Sequence, residues 1–415
     1  MSKLTKYKFS DLYEMSSGIS SSKEQAGHGS PFISFSTVFN NYFLPEELPD
    51  LMDTSLKEQE IFSVKKDDVF ITRTSETVDA LAMSCVAVKD YPKATFSGFV
   101  KRLRPKTTGI VYSKYIAFFL RSKYFRKVLD CNTIMTLRAS FNEDMFSFLY
   151  LYLPDYEEQV RIGDLLYKME MKIRTNNKIN DNLEQQAKFI YDYWFTQFDF
   201  PDENGKPYCS SGGKMVWNEQ LKRNIPENWN VVPLLKLVSW ESNSQPPKSE
   251  FVYEPKEGYV RFIQNRDYDS DTHITYIPRT KNLSIVDRFD ILMDKYGDAG
   301  AVRYGIEGAF NVALGKICVH NPNYREYIRS FLGSDGIYKF LHNSCMASTR
   351  ASLSEANLAI LNVVVPDEKI ILDYENFLHK IRVSILKNKD ETVELINLRD
   401  WLLPMLMNGQ ATIAD

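Results

Sequence analysis

The chain is 415 residues long, which is enough for two or three ordinary domains. It has 44% hydrophobic and 25% charged residues and a formal net charge of −3, and its aromatic share of 13% excludes a disordered chain. It contains neither a run of about 18 apolar residues nor a signal-peptide pattern, so we expect a cytoplasmic protein without a membrane span. The five cysteines are an odd number without metal-ligand spacing. We expect reduced thiols.

The first part of the chain mixes short apolar runs with loops. The runs predict strands at 32–35, 69–72, 82–88, 100–103 and 149–153, and a helix is predicted near 113–129. From Tyr91 to Leu129 the chain carries ten Lys or Arg residues and no Asp or Glu. Such a block is expected of a phosphate-binding face, or else of a solvated helix face and strand edge.

A long helix is predicted over 156–198. Its apolar residues alternate in spacing between four and three residues, which is typical of a coiled-coil seam. Asn176 occupies a seam position, where a buried Asn fixes register and partner at some cost in stability.

A junction is predicted over 199–230, a segment rich in Gly, Pro, Ser and Asn. Its Ser-Ser-Gly-Gly-Lys run lacks the spacing of a Walker phosphate loop. We interpret the two glycines as a tight turn, and we expect Met215, Val216 and Trp217 to pin the linker against a neighbouring surface.

The second part of the chain repeats this organisation. Strands are predicted at 260–263, 291–293, 317–320 and 361–365, and a helix near 324–342. A second long helix is predicted over 367–409, with Asn388 at the same seam position as Asn176. Strands mixed with helices in this way indicate an α+β fold.

An internal repeat relates the two parts. At an offset of 212, residues 115–154 and 327–366 share 13 identities in 40. Upstream the offset drifts, and 68–71 aligns with 290–293. The repeat predicts two similar domains related by a pseudo-two-fold axis. The long helices would pair with each other as a rod between the domains, or each would dock on a different partner protein.

No catalytic or metal-binding constellation is apparent. The run from Asn321 to Tyr324, Asn-Pro-Asn-Tyr, is one residue from the Asn-Pro-Pro-Tyr motif of adenine methyltransferases, but a glycine-rich cofactor loop is missing. The repeat aligns Tyr324 with Tyr112, which favours a core residue at a helix start. The five histidines have no ligand spacing. We therefore expect a binding protein with no catalytic residue, no metal and no cofactor of its own.

The junction and the end of the chain resemble the specificity subunit of type I restriction–modification systems. The resemblance rests on the duplication, the matched helices and these segments: 194–201 (WFTQFDFP), 204–208 (NGKPY), 210–216 (SSGGKMV), 221–226 (LKRNIP), Trp229 and 398–409 (LRDWLLPMLMNG). It covers essentially the whole chain and is weakest in the globular parts.

The resemblance implies two target recognition domains, at 1–155 and 231–366, held apart by an antiparallel pair of long helices. Each domain would read one half of a split, asymmetric site in double-stranded DNA, and the helices would set the spacer. Two methylation subunits would dock along the helices, and two restriction subunits would join them. S-adenosylmethionine, ATP and Mg²⁺ would serve those partner subunits only.

The DNA contacts are expected from polar residues on loops after strands, since Lys and Arg hold phosphates while side chains on loops read base edges. For the first domain we predict Arg73, Thr74, Ser75, Lys101, Arg102, Arg104, Arg138 and Ser140. For the second domain we predict Gln264, Asn265, Arg266, Lys295, Tyr296, Arg303, Lys316, Arg350 and Ser352.

We expect different roles for the residues that recur in both parts and for the run 264–266. Arg138 with Ser140 and Arg350 with Ser352 recur in both parts, which suits a shared phosphate contact or a structural turn. The run 264–266 offers Gln, Asn and Arg, which can contact adenine or guanine bidentately.

Two other functions stay open at this point. A coiled-coil scaffold whose globular ends bind proteins would show DNA affinity that barely changes with salt. A chain that is itself an adenine methyltransferase would bind S-adenosylmethionine alone.

Overall fold

The computed structural model describes residues 4–75, 80–132, 139–270, 273–346 and 352–413. The chain forms two compact units. Unit 1 comprises Met1–Thr175 and Glu391–Asp415, and unit 2 comprises Asn176–Asp390. The division falls inside both long helices, so each unit contains a part of each helix.

Unit 1 contains the elements that precede the first long helix. In chain order they are β1 (Thr5–Lys8), α1 (Phe9–Leu12), β2 (Tyr13–Ser17), β3 (Ala26–Ile33), α2 (Phe35–Asn40), β4 (Asp50–Met52), α3 (Leu56–Ile61), β5 (Val69–Thr72), β6 (Thr74–Ser75), β7 (Ser84–Val86), β8 (Thr95–Phe96), β9 (Val100–Pro105), α4 (Ser113–Phe119), α5 (Lys123–Asn132), β10 (Ala139–Ser140), α6 (Glu143–Phe148) and β11 (Tyr150–Leu153). The first long helix, α7, spans Tyr156–Tyr191 and continues into a π-helical turn at Asp192–Thr196.

Unit 2 contains the elements between the two long helices. They are β12 (Met215–Asn218), β13 (Arg223–Pro226), β14 (Asn230–Pro233), β15 (Val238–Glu241), β16 (Tyr259–Ile263), β17 (Tyr276–Pro278), β18 (Ile285–Val286), β19 (Ile291–Asp294), β20 (Val302–Arg303), β21 (Gly308–Phe310), β22 (Leu314–Val319), α8 (Arg325–Leu332), α9 (Asp335–Met346), α10 (Glu355–Ala359) and β23 (Asn362–Val365). The second long helix, α11, spans Glu368–Met407.

Each unit is built on an antiparallel four-stranded sheet, in the order β2-β9-β5-β7 in unit 1 and β15-β22-β19-β20 in unit 2. A second sheet accompanies it, β4-β3-β8 in unit 1 and β17-β16-β21-β18 in unit 2. A third pair, β1–β11 or β14–β23, ends on the strand that leads into a long helix. The chain is therefore α+β, as predicted, and the same strand arrangement recurs in the second unit.

The repeat coincides with the cores. Strands β5 and β19, which align at the drifted offset, are buried along their whole length. At the constant offset, Tyr115 of α4 and Tyr327 of α8 are both buried in the aromatic core of their unit. Burial of each ring removes a large apolar area from water, so these identities are explained by packing.

The helices predicted near 113–129 and 324–342 are each divided in two. In unit 1 the Ser122 hydroxyl donates to the Phe119 carbonyl at 2.6 Å and accepts the Phe125 N–H at 3.3 Å. In unit 2 the hydroxyl of Ser334 donates to the Phe331 carbonyl at 2.7 Å. A serine that bonds to the backbone ends one helix and caps the next, and the periodicity of the apolar residues did not reveal this break.

The two long helices run antiparallel within each unit. In unit 1, Lys172 of α7 pairs with Glu391 of α11 at 3.0 Å, and Glu170 pairs with Arg399 at 3.0 Å. Residues nearer the start of α7 therefore pair with residues nearer the end of α11.

Three asparagines meet on the facing sides of the helices in unit 2. Asn176 is fully buried, and its amide nitrogen donates to the Asn388 carbonyl at 3.5 Å. The Asn388 amide donates to the side-chain oxygen of Asn180 at 2.9 Å, and the Asn180 amide donates to the Ile385 carbonyl at 3.3 Å. The predicted seam residues are thus in contact, and Asn180 joins them.

A tyrosine with two arginines attaches the globular part of unit 1 to its helices. The guanidinium groups of Arg121 and Arg399 lie 4.9 and 5.2 Å from the centre of the Tyr42 ring. Arg121 also donates to the carbonyls of Val38 and Ser84. Such cation–π contacts stabilise by about 0.5–2 kcal/mol each, depending on desolvation.

Unit 2 uses the same chemistry at positions that the repeat does not align. Arg329 and Arg382 lie 4.7 and 4.9 Å from the centre of the Tyr304 ring. The Tyr304 hydroxyl bonds to Glu184 of α7, which also pairs with Arg382. Arg329 and Arg382 both bond to the fully buried Glu326 at 3.0 Å. Removing one member of such a buried network leaves an uncompensated charge, which typically costs about 3–5 kcal/mol.

The junction folds onto the core of unit 2. Gly212 adopts a φ of +90°, and a Cβ at Gly213 would meet the Tyr208 ring at 2.5 Å, so both positions require glycine. Met215 and Val216 pack against the core as predicted. Trp217 is 57% exposed, so the expectation that it pins the linker was wrong. Trp217 shares its face of β12 with Met215 but lies nearer the turn of the hairpin, where its indole N–H donates to the Glu219 carboxylate at 2.9 Å.

None of the five cysteines forms a disulfide. Among the helices of the described residues, none is both long enough and apolar enough to cross a membrane.

The pH dependence of stability provides a test of the buried network in unit 2. The Glu375 carboxylate accepts the Glu326 N–H at 2.8 Å, and burial, together with the Glu326 charge, raises the pKa of Glu375 from 4.5 to about 7. The folded state therefore binds more protons than the unfolded state between these values, so the contribution of Glu375 is present at low pH and is lost as pH rises through 7. We predict that E375Q gains stability relative to the natural chain from pH 5 to pH 8, measured by chemical denaturation.

The matched control is E394Q, which changes an exposed glutamate on the same helix. Its stability difference from the natural chain should stay constant over this range. An E375Q difference that is equal at pH 5 and pH 8 would contradict the assignment.

Candidate nucleic-acid interface

In unit 1 the predicted site residues meet at one end of the main sheet. Arg73 follows β5, and its backbone is held on both sides. Its N–H donates to the Phe99 carbonyl at 2.9 Å, and its carbonyl accepts the Phe141 N–H at 2.8 Å. We call this pair of backbone hydrogen bonds the clamp. The Arg73 side chain is exposed, so the clamp presents a cation at a fixed position on the surface.

Two further predicted groups lie beside the clamp. Strand β6 pairs with β10, which places Thr74 opposite Ser140 and brings Ser75 next to the same short ladder. Lys101 of β9 donates to the Ser17 hydroxyl at 2.8 Å. Burial lowers the pKa of Lys101, the nearby Glu143 raises it and the Arg73 charge lowers it further. Five of the eight residues predicted for the first domain are thus brought together.

A loop that was not predicted supports the clamp. The carbonyl of Phe99 accepts from Arg73, while Ser97 donates its N–H to the Ile33 carbonyl at 3.0 Å. We call residues 97–99 the edge loop of unit 1. It joins the end of β3, where Ser34 caps the following helix, to the end of β5.

Unit 2 contains the same clamp. Lys295 follows β19 and donates its N–H to the Ala313 carbonyl at 2.8 Å, and its own carbonyl accepts the Leu353 N–H at 3.0 Å. The corresponding edge loop is residues 311–313, in which Asn311 donates its N–H to the Ile263 carbonyl at 2.9 Å. The clamp therefore survives the duplication although its side chains differ.

The Lys295 side chain is itself positioned. Its ammonium group donates to the Ser242 hydroxyl at 2.9 Å and lies 5.6 Å from the centre of the Trp240 ring. Burial lowers the pKa of Lys295, and the neighbouring Tyr296 raises it. Tyr296 is 51% exposed beside it.

The run from Gln264 to Arg266 lies at the neighbouring strand end. Gln264 caps a short 3₁₀ turn, and its amide donates to the Thr275 hydroxyl at 3.1 Å. Arg266 is more than half exposed, with Asp267 at 3.8 Å. Because Asn311 bonds to Ile263, the residue before Gln264, the edge loop links this run to the clamped Lys295.

Residues 1–185 match the family model of the type I restriction modification DNA specificity domain. The type I restriction enzyme MjaIX specificity subunit of Methanocaldococcus jannaschii is 22% identical over 98% of this chain and 93% of its own length. The HindI specificity subunit of Haemophilus influenzae is 23% identical over 91% of this chain and 94% of its own length. The chain is thus similar to type I restriction enzyme specificity subunits over nearly its whole length.

The fold of the chain has a counterpart among solved structures. It is similar to the crystal structure of the type I restriction–modification S subunit from M. genitalium, with a TM-score of 0.65 and 14% identity over 98% of this chain and 96% of that one.

Several predicted cations are engaged inside their own unit. Arg104 bonds to Asp68 at 2.7 Å and Arg102 donates to the Ser63 carbonyl at 2.6 Å. In unit 2, Lys316 pairs with Asp290 at 2.9 Å and Arg303 pairs with Asp294 at 2.9 Å. These ion pairs brace the strands behind the clamps, and a DNA contact from any of the four would have to exchange a bond that already exists.

The basic block of the first domain is correspondingly divided. Arg121 and Arg126 donate mainly to backbone carbonyls within unit 1, and Lys114 pairs with Asp164 at 2.8 Å. The block does not form one continuous phosphate-binding face, because only part of its charge reaches the edge that carries the clamp.

Two predicted residues, Arg138 and Arg350, lie outside the described residues. Their neighbours Ser140 and Ser352 are exposed and half-buried respectively, and each directly precedes the residue that donates to the clamp. The recurrent Arg-Ala-Ser sequence thus directly precedes the donor of the clamp in both units.

The edge loops were missed because the offset changes there. Phe96 and Ser97 align with Phe310 and Asn311 at 214, between the 222 of the preceding strands and the 212 of the following helices. An alignment that allowed one gap per loop would have found them. Among the described residues, the structure holds no group of His, Cys, Asp or Glu that could bind a metal ion.

The clamped cations generate a salt-dependence prediction. Each phosphate contact releases counterions, so the slope of log affinity against log salt changes by about 0.9 per contact on B-DNA. We test R73A and K295A separately, each in the complex with the methylation subunits. Each substitution is expected to reduce the magnitude of this slope by about 0.9, the value for one phosphate contact.

The matched control is K222A, which removes a cation whose side chain is 74% exposed on the junction. It should leave the slope unchanged. An R73A or K295A complex whose slope equals that of the K222A complex would show that the clamped cation does not touch phosphate.

Proposed function

We propose that this chain reads a bipartite, asymmetric site in double-stranded DNA, with one unit on each half of the site. The observation that carries the proposal is the clamp, which places an Arg in unit 1 and a Lys in unit 2 at the end of equivalent strands. Two domains that read different DNA sequences require a common backbone with different side chains at the surface. The backbone positions each domain on the DNA, and the side chains determine which sequence it binds.

The candidate contacts are the predicted residues that lie at the clamps and at the neighbouring strand end. Arg73, Thr74, Ser75, Lys101 and Ser140 would act on one half-site. Gln264, Asn265, Arg266, Lys295, Tyr296 and Ser352 would act on the other. The Arg266 side chain is 55% exposed, and an arginine can contact guanine bidentately. Arg102, Arg104, Arg303 and Lys316 would support these residues rather than read bases, because each bonds to a carboxylate or a backbone carbonyl behind its clamp.

The long helices would act as the ruler and the docking surface. We propose that they form an antiparallel coiled coil, that a pseudo-two-fold axis relates the two units, and that helix length sets the spacer. The buried Asn176 and the half-buried Asn388 would fix the register, since polar groups at a seam disfavour shifted pairings.

Exposed apolar residues on these helices support docking of two methylation subunits. Phe189 of α7 is 67% exposed and Phe377 of α11 is 47% exposed in unit 2, and Trp401 of α11 is 65% exposed in unit 1. Large exposed rings on a rigid helix are typical of protein interfaces. Two restriction subunits would complete the assembly. S-adenosylmethionine, ATP and Mg²⁺ would bind those partners, and this chain would direct their chemistry without performing it.

The proposal is tested by mapping N6-methyladenine in a host genome with and without the gene. We expect deletion to abolish methylation at one split motif and re-expression of the chain to restore it. If every methylated motif survives deletion, the proposal is wrong and the chain is better explained as a scaffold.

A further inference from the structure

An exposed phenylalanine takes part in the clamp of unit 1. Phe99 closes the edge loop and is 66% exposed, although its backbone is fixed on both sides. Its carbonyl accepts the Arg73 N–H at 2.9 Å, and its N–H donates to the Ser97 hydroxyl at 3.2 Å. A ring held in water on a rigid backbone is pre-organised for a contact that the free chain does not make.

The packing beneath the loop explains this rigidity. Gly98 donates its N–H to the Ile19 carbonyl at 2.7 Å. A Cβ on Gly18 would approach the carbonyl oxygens of Phe96 and Ser97 to 2.3 Å, so the loop lies directly on the backbone of residues 18–19. The loop cannot fold back to bury the ring without losing these contacts.

Unit 2 places its exposed ring at the other position of the clamp. The residue that accepts the Lys295 N–H is Ala313, where unit 1 has Phe99. The residue that follows the clamped cation is Tyr296, 51% exposed, where unit 1 has Thr74. Each unit therefore displays one exposed aromatic ring beside its clamped cation, on equivalent frames but at different positions. A change in the position of the ring is expected if the ring selects a DNA sequence, and not if it stabilises the fold.

From these observations we propose that Phe99 reads a thymine in the half-site of unit 1 through the thymine 5-methyl group. The inference rests on the proposed function. A phenyl ring can neither donate nor accept a conventional hydrogen bond, so it must recognise an apolar group. The thymine methyl is the apolar group that base pairs display in the major groove. Arg73, whose backbone bonds to that of Phe99 and whose side chain is exposed, supplies a charge that would hold an adjoining phosphate.

The test removes the methyl group and the ring separately and together. Duplexes carrying the mapped motif are made with each thymine replaced in turn by uracil, which lacks only the 5-methyl group. Binding is measured for complexes with the natural chain and with F99A. At one thymine we expect uracil to weaken binding by the natural complex about fourfold, the effect of one buried methyl group. The F99A complex should bind the thymine and uracil duplexes equally at that position, because the two changes remove the same contact.

The matched control is F148A, which removes an equally large ring that is 74% exposed at the end of α6. It should retain the full response to uracil. Because Phe99 is exposed, F99A is expected to fold, and an unchanged half-site in unit 2 checks that the complex is intact.

The inference is overturned if the uracil and F99A effects add independently at every thymine, or if the half-site of unit 1 contains no thymine on either strand. A uniform loss of affinity on all duplexes would also overturn it, since insertion of the ring between base pairs does not depend on the methyl group. In each of these cases the complex still binds a bipartite motif, so the proposed function stands. A complex that binds no such motif contradicts the proposed function itself.

Discussion

Two backbone hydrogen bonds around one residue organise the surface of each unit. Around Arg73 and again around Lys295, a strand end is fixed between the edge loop and the residue that follows Ser140 or Ser352. Because main-chain groups make these bonds, the side chains of the frame are free to differ. Where unit 1 has Arg73, Thr74 and Phe99, unit 2 has Lys295, Tyr296 and Ala313, and the backbone hydrogen bonds are the same. A duplicated reader with this construction can change its sequence preference in one unit and leave the fold unaltered.

The contacts between the globular part of each unit and its helix segments also share their chemistry but not their positions in the sequence. Tyr42 with Arg121 and Arg399, and Tyr304 with Arg329 and Arg382, form a cation–π cluster in each unit. The repeat does not align these tyrosines, so the two clusters have a common chemistry without a common position. Charged clusters of this kind are directional. They fix the globular part of each unit on its helix segments more sharply than apolar packing alone would.

The elements that could be predicted from the sequence are those that local apolar patterns and the internal duplication determine. Strands β5 and β19 and helices α7 and α11 follow from apolar periodicity, and the residues after β5 and β19 form the clamps. The fate of Arg104 and Lys316 could not be predicted, because their partners Asp68 and Asp290 directly precede the neighbouring strands β5 and β19 and no local pattern reports such pairing. The edge loops were missed because the offset shifts there, and Trp217 was misjudged because it lies near the turn of its hairpin, beyond the part that packs on the core. Both errors concern tertiary neighbours.

In the proposed function, the two clamps face different halves of one DNA site. Photo-crosslinking tests it most directly, with the photoreactive amino acid p-benzoylphenylalanine in place of Phe99 in one chain and of Tyr296 in another, each in complex with the methylation subunits on the mapped duplex. Both positions are exposed and aromatic, so the probe replaces a ring with a ring. The account predicts that the probe at 99 crosslinks to bases of one half-site and the probe at 296 to bases of the other. Crosslinks from both probes to the same half-site, or to the spacer, would contradict it.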